Sequence, residues 1–377
     1  MKTAIPSSAP DYATARQKAG FAWHVGVAPG AYMALTGVPI RDYFLDPAAC
    51  IEIYRKGRPL AREMFGEEVI LAGPSTPAIS YGHVNGLGSE LCFPEGGEVA
   101  HTPIHGSLEE GIAALGTPVD FARAGMTPFY LDFRRRLQEA FPGENVGFSF
   151  ALQGPITTAW ELRGHEMFTD LMEYPDLMEE YLRKVTDSIA AYHHFRCGVL
   201  SLPVISPERA GMTDDVAAMV PPKLWGRLVL PAWERYYRAM TTGLRHAHVE
   251  DLRPIQLPFL EEIGLGKYDP SISPKLTPQL VAEGCRVPFM WRLGSFRYRE
   301  MTEQDVEAFV FDAVAGGASE VFTVAAAEIC HAEGAVKVRA FIRAAKEAKQ
   351  HLDAGADRCS LAGRASAAKR AGPLSPC

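Results

Sequence analysis

The stretch LRHAHVEDLRP, Leu244 to Pro254, decides how this chain is read. Side chains alternate faces along a β-strand, so His246, His248 and Glu250 share one face and Arg245, Ala247 and Val249 the other. Two imidazoles and a carboxylate in one row suit the lining of a site better than an ordinary buried face. A short helix follows in RPIQLPFLEEIGLG, and the alternation then repeats. KYDPSIS reads as a weak strand and LTPQLVAEGC as a helix; VPFMWRL reads as a strand and TEQDVEAFVFDAVAGGA as a helix N-capped by Thr302. EVFTVAA and AVKVRAFIRAAKEAKQ close the series. Strands and helices alternating at this spacing imply parallel strands with crossover connections.

Working backwards, NVGFSFALQGPI reads as a strand entering a Gly-Pro turn, and a long amphipathic stretch from Ala159 to Cys197 breaks near Tyr174-Pro175. GVLSLPVISPERAGM suggests a strand and a loop, and LWGRLVLPAWERYYRAM another helix. There is no Gly-rich dinucleotide fingerprint and no phosphate loop. This many βα units without a phosphate loop favour an α/β fold of the (β/α)8 TIM-barrel type over a doubly wound sheet. The first ~130 residues are expected to supply the first strands, plus helices and loops over the barrel mouth. The expected organisation is a flexible terminus over 1–13, one barrel domain over 14–350 and a disordered tail over 351–377.

Composition narrows the function. The 377 residues are 47% apolar and 22% charged, with a formal net charge of −7, a balance that disfavours nucleic acid or an anionic membrane as partner. No apolar window is long enough to span a bilayer, and the first residues lack the apolar core of a secretory signal. Seven scattered cysteines do not form a disulfide framework, which points to a reducing, cytoplasmic setting.

Catalytic groups of such barrels sit at the C-terminal ends of strands. Those ends carry His248 and Glu250; Tyr268, Asp269, Ser271 and Ser273; Trp291 and Arg292; and Glu328, Cys330 and His331. A strand aims His248 and Glu250 at a common point, and a catalytic zinc takes three protein ligands of these types with one position open. The alternative is a hydrogen-bonded polar cluster without metal. His246 lies one pleat deeper and suits a supporting role. Tyr268 and Asp269 are candidates to donate and accept protons, and Arg292 to hold an anionic group. Asp214-Asp215 is expected to cap the following helix. Trp23, Tyr81, Trp160 and Trp291 are candidate linings for an aromatic substrate.

The chain resembles the uroporphyrinogen decarboxylase superfamily, in particular its corrinoid-linked methyltransferase branch. The resemblance rests on AYMALTGVPIRDYFLDPAACIEIY, ALQGPITTAWELRGHEMFTDLMEYPDLMEEYL, MTDDVAAMVPPKLWGRLVLPAWERYY and EVFTVAAAEICHAEGAVKVRAFIRAAKEA. It covers residues from about 20 to about 350. It too implies a (β/α)8 barrel. Decarboxylases of the family grip substrate carboxylates with an N-terminal Arg-Gln-Ala-Gly-Arg motif, whereas this chain reads AWHVGVAPGAYMAL there. Thiol-methylating members hold zinc through a His-x-Cys and a later Cys. Here His248-Val249-Glu250 stands at the first position, and Glu328, Cys330 and His331 near the second.

On this resemblance the expected metal ligands are His248, Glu250, Cys330 and His331. A carboxylate in place of thiolate makes the site harder and suits an oxygen donor. The expectation is a zinc-dependent methyltransferase that moves a methyl group from a methoxylated, aromatic small molecule to a corrinoid protein, as in O-demethylation, with tetrahydrofolate downstream. A homodimer is compatible with it. Two alternatives stand beside it: a metal-free decarboxylase, for which Arg41, Arg134, Arg135, Arg136 and Arg292 are the available cations, and a non-catalytic binding module. Glu90, before a Gly-rich loop, is a further weak candidate.

Overall fold

A computed structural model describes residues 9–362 and 364. Among the described residues nine strands are formed: β1 (Ala22–Val27), β2 (Ile70–Leu71), β3 (Leu91–Cys92), β4 (Ala100–His101), β5 (Arg209–Thr213), β6 (Leu244–His248), β7 (Leu265–Asp269), β8 (Met290–Leu293) and β9 (Glu320–Ala325). β3 and β4 form a small antiparallel pair; the other seven are parallel and build two arcs, β2-β1-β9-β8 and β5-β6-β7. A single bridge, Tyr268 to Phe289, joins β7 to the run entering β8. Two more, Ser75–Gly147 and Ile79–Phe150, tie the segment after β2 to residues 146–150. Helices separate the successive parallel strands, the longest helices being Pro175–Leu200 and Ala332–Asp353.

The expected alternation of parallel strands and helices is therefore present, but the ladder does not run continuously around the molecule. Backbone polar groups must find partners somewhere, and the gap between residues 146–150 and β5 shows where they go. The carbonyls of Gly147, Ser149 and Ala151 accept from Thr76, Ile79 and His83 on one side. On the side facing β5, the Phe148 carbonyl accepts from Arg196 Nη2 and the Phe150 carbonyl from the Tyr192 hydroxyl, each at 2.9 Å. On the opposing edge the Gly211 carbonyl accepts from the Tyr236 hydroxyl, also at 2.9 Å. Side chains of the flanking helices thus replace the missing ladder, and only Gly154 N to Thr213 O, 2.6 Å, spans the gap directly.

That crossing explains the Gly-Pro-Ile-Thr sequence. Gly154 precedes the helix Pro155–Arg163, whose first N–H groups lack intrahelical acceptors. Asp214, fully buried at the end of β5, supplies them: Oδ1 accepts from Thr157 N at 2.6 Å and Oδ2 from Ile156 N at 3.3 Å, with Trp233 Nε1 donating to Oδ2 at 2.6 Å. A Cβ on Gly154 would lie 2.5 Å from that of Asp214, so only glycine permits the approach. Asp214 therefore caps a helix 57 to 58 residues upstream and not the turn that follows it, for which no side-chain cap is made.

The described residues near both ends pack against the rest of the fold. The last long helix continues to Asp353, Arg358 donates to the carbonyls of Ala318 and Gly20, and Leu361 is fully buried. At the other end the Tyr12 hydroxyl reaches the Leu265 carbonyl at 2.8 Å. The rest of the expected flexible terminus and tail, residues 1–8, 363 and 365–377, lies outside the described residues.

Candidate functional site

The inner faces of the arcs are polar. On β1, Val25 and Val27 are buried against the helices while His24 and Gly26 face the other way, and Gly26 meets Val324 of β9. Lys267 of β7 pairs with Glu320 of β9 although β8 lies between those strands, so the ion pair crosses the space they enclose. His24 Nδ1 donates to the same carboxylate at 2.7 Å. Burial alone would raise the Glu320 carboxyl, but the hydrogen bonds from His24 and Lys267, and then the Lys267 charge, draw it below the usual carboxylate range. Nearby His246 is also pushed down, to about 4, by burial and then by the charges of Lys267 and Arg209. It is a neutral imidazole at physiological pH.

One pleat towards the C-terminal ends stands His248. Its Nδ1 is 2.9 Å from Asp269 Oδ2, and its Nε2 lies 3.8 Å from both Asp215 Oδ1 and Glu250 Oε1. Asp269 is itself held, its Oδ1 accepting from Ser271 N at 2.8 Å. Asp215 accepts from Glu250 N at 2.8 Å. Burial disfavours the His248 cation, but the Asp269 hydrogen bond and then the charges of Asp269, Asp215 and Glu250 outweigh it and lift the imidazole above its ordinary range. Arg292 completes this end, with Nη1 3.4 Å from Ser271 Oγ and Nε buried without an acceptor. Ser271 (φ +49°) and Asp251 (φ +60°), which follow these two strands, hold left-handed backbone that non-glycine residues seldom adopt, a strain that gathers at functional sites.

His246, His248, Lys267 and Asp269 line a cavity of about 580 Å³ that reaches between the arcs to the gap beside β5. Its wall includes Arg196 and Arg209. Of the expected residues, the structure brings His248, Glu250 and Asp269 together, with Arg292 linked through Ser271. Tyr268 is elsewhere: fully buried on the outer face, its hydroxyl spent on the Val249 carbonyl at 3.0 Å. Trp23 and Trp291 share that outward orientation, both paired in register with buried Val321. Tyr81 and Trp160 each pack against the His101 ring, at centroid distances of 4.3 and 6.2 Å. Arg41 pairs with exposed Glu95, Arg135 and Arg136 pair with Asp132, and Arg134 donates to Val146 O, so none of them faces the cavity. Glu90 is exposed beside β3.

The expected metal ligands do not assemble. Cys330 Sγ contacts the Ala326 and Ala31 carbonyls at 3.3 and 3.7 Å, and its thiol is raised by burial to about 11. His331 Nδ1 caps the final helix by accepting from Gly334 N, and the ring lines a separate pocket with Tyr298, Arg299 and Lys337. Among the described residues no three His, Cys, Asp or Glu side chains are arranged to hold a metal ion. The zinc ligand set implied by the resemblance therefore does not fit this site, which is built as a histidine–carboxylate cluster. His24, Arg196, Arg209, Lys267 and Glu320 went unread in the sequence and Asp215 was read only as a helix cap, although the strict alternation in AWHVGV and GKYD marks His24, Lys267 and Asp269 as inner residues.

No family model matches the chain, and no curated protein matches it. Among solved structures it is similar to a methyltransferase from Methanosarcina mazei, at 17% identity and a TM-score of 0.63, over 89% of this chain and 96% of that one. The likeness is one of fold. Among the described residues no helix is long and apolar enough to cross a membrane.

Proposed function

We propose that this chain is a methyltransferase acting on a small methylated donor, with the cavity between the arcs as its active site. The two arcs and the segments around residues 75–79 and 146–150 are then the staves of one (β/α)8 barrel, opened at the β5 edge. One observation carries the reading: His248 lines the cavity with Nδ1 bonded to Asp269 and Nε2 facing Asp215 and Glu250, carboxylates that favour the protonated imidazole. Such a group is suited to protonate an oxygen leaving group. When the methyl carbon passes from an ether oxygen to an acceptor nucleophile, the C–O bond breaks and the oxygen takes the electron pair. The proton on His248 Nε2 then gives the free alcohol or phenol. Asp269 fixes the tautomer and steadies the charge, and a proton from solvent restores Nε2 beside Asp215 and Glu250. The acceptor that the family resemblance supports is the reduced cobalt of a partner's corrinoid. Support for the activity also comes from the structurally similar methyltransferase.

The test mixes the protein with a methoxyarene and cob(I)alamin and follows methylcobalamin by its absorbance. Formation that His248→Gln abolishes supports the proposal; no formation across methoxy, thioether and methylamine donors refutes it. The excess of cations on the cavity wall favours a second reading, decarboxylation of a carboxylated aromatic, which release of carbon dioxide would reveal.

A further inference from the structure

The cavity wall carries six basic side chains, His193, Arg196, Arg209, His246, His248 and Lys267, against one acid, Asp269. Asp269 is engaged by His248, and Lys267 is neutralised by Glu320. Arg196 and Arg209 remain, and neither has an acidic partner among the described residues. Arg209 opens β5 on the same face as Gly211, which pairs with His246, so it stands on the inner side at the strand's N-terminal end. Arg196 reaches into the gap from the helix Pro175–Leu200 and spends Nη2 on the Phe148 carbonyl. Its Nε is buried with no acceptor. A buried N–H on a charged group without an acceptor is costly, and a planar guanidinium presents its donors as a fork matched to carboxylate oxygens.

We propose that the gap between residues 146–150 and β5 is a subsite for a carboxylate, held by Arg196 and Arg209, at the end of the cavity remote from His248. The lining there suits a small acid: Leu152, Leu202 and Met240 supply apolar contact and Ser206 a hydroxyl. The missing ladder is then functional, because a closed sheet would pair the Phe148 and Gly211 carbonyls with backbone and leave no opening for the guanidinium. The assignment stands apart from the methyl-transfer reading, since binding is measured without turnover.

Isothermal titration of the full chain with benzoate, its neutral isostere benzamide and inorganic phosphate tests it. Benzoate is expected to bind at least about tenfold more tightly than benzamide, as charged hydrogen bonds warrant, and to weaken as salt rises. Arg209→Gln, at an exposed strand end, should lose about tenfold or more for benzoate, leaving benzamide binding and the unfolding temperature unchanged. Arg196→Lys keeps the charge but not the fork and should weaken benzoate in the same direction. Arg136→Gln, on the solvated helix face, should behave as wild type. The proposal is overturned if benzoate does not bind at millimolar concentration, or if it binds no better than benzamide. It is equally overturned if both cavity variants retain wild-type affinity, or if phosphate displaces benzoate at lower concentration than benzoate itself needs.

Discussion

Asp269→Asn isolates the electrostatics on which the proposed chemistry depends. The amide keeps the size of the carboxyl and can still accept from His248 Nδ1, so the 2.9 Å hydrogen bond loses the negative charge of its acceptor. A hydrogen bond to a charged group nets about 1.5–3 kcal/mol and a neutral one about 0.5–1.5 kcal/mol. The two side chains are 28% and 19% exposed, so solvent screens the interaction only partly. The imidazolium should therefore lose about 1–1.5 kcal/mol of stabilisation. Because the folded protein raises His248 above its ordinary value, its contribution to stability is present in full below pH ~6.5 and disappears as pH climbs through the raised midpoint. The variant should accordingly lose more stability at pH 6 than at a pH above that midpoint, by about 1 kcal/mol. Urea unfolding at the two pH values measures this. NMR titration of the His248 ring, assigned by its disappearance in His248→Gln, should show the midpoint falling in the variant. A midpoint unchanged or raised would refute the account of how His248 is kept charged, and with it the case for His248 as the acid.

Other substitutions separate scaffold from site. Tyr268→Phe should cost about 1 kcal/mol in urea unfolding and leave turnover intact, because its hydroxyl bonds only the Val249 carbonyl on the outer face. Gly154→Ala should destabilise by about 1–3 kcal/mol or more, with a change in Trp233 fluorescence, since the new Cβ meets Asp214 at 2.5 Å and disturbs the carboxylate that also holds the indole. His246, pushed to about 4, should show no titration by NMR between pH 5.5 and 8. As its neutral form is the buried one, its share of stability is present above pH ~6.5 and falls as pH drops towards its folded value. Arg245→Met should cost about 1.5–3 kcal/mol by the same unfolding assay, because it leaves Glu234, 14% exposed, with Arg238 as its remaining partner.

Much of the scaffold was legible in the chain itself. Apolar periodicity marked β6, β8, β9 and the intervening helices, and Thr302 with Asp305 forms the capping box at the start of Glu303–Ala315. These signals are local: they depend on residues within a turn or a pleat of one another. The same locality made the row His246, His248, Glu250 meaningful, and its alternation, carried consistently through β7 and β8, separates Asp269 from Tyr268 and Arg292 from Trp291 without any structure. What tertiary structure alone decided was which distant groups meet. Asp214 reaches back to cap the helix after Gly154, and Arg196 and Tyr192 stand in for a strand at the open edge. Cys330 and His331 turn to backbone groups of their own neighbourhood and not to His248. No periodicity encodes these choices, because each is settled by where a buried donor or acceptor finds its nearest partner once the chain has closed around it.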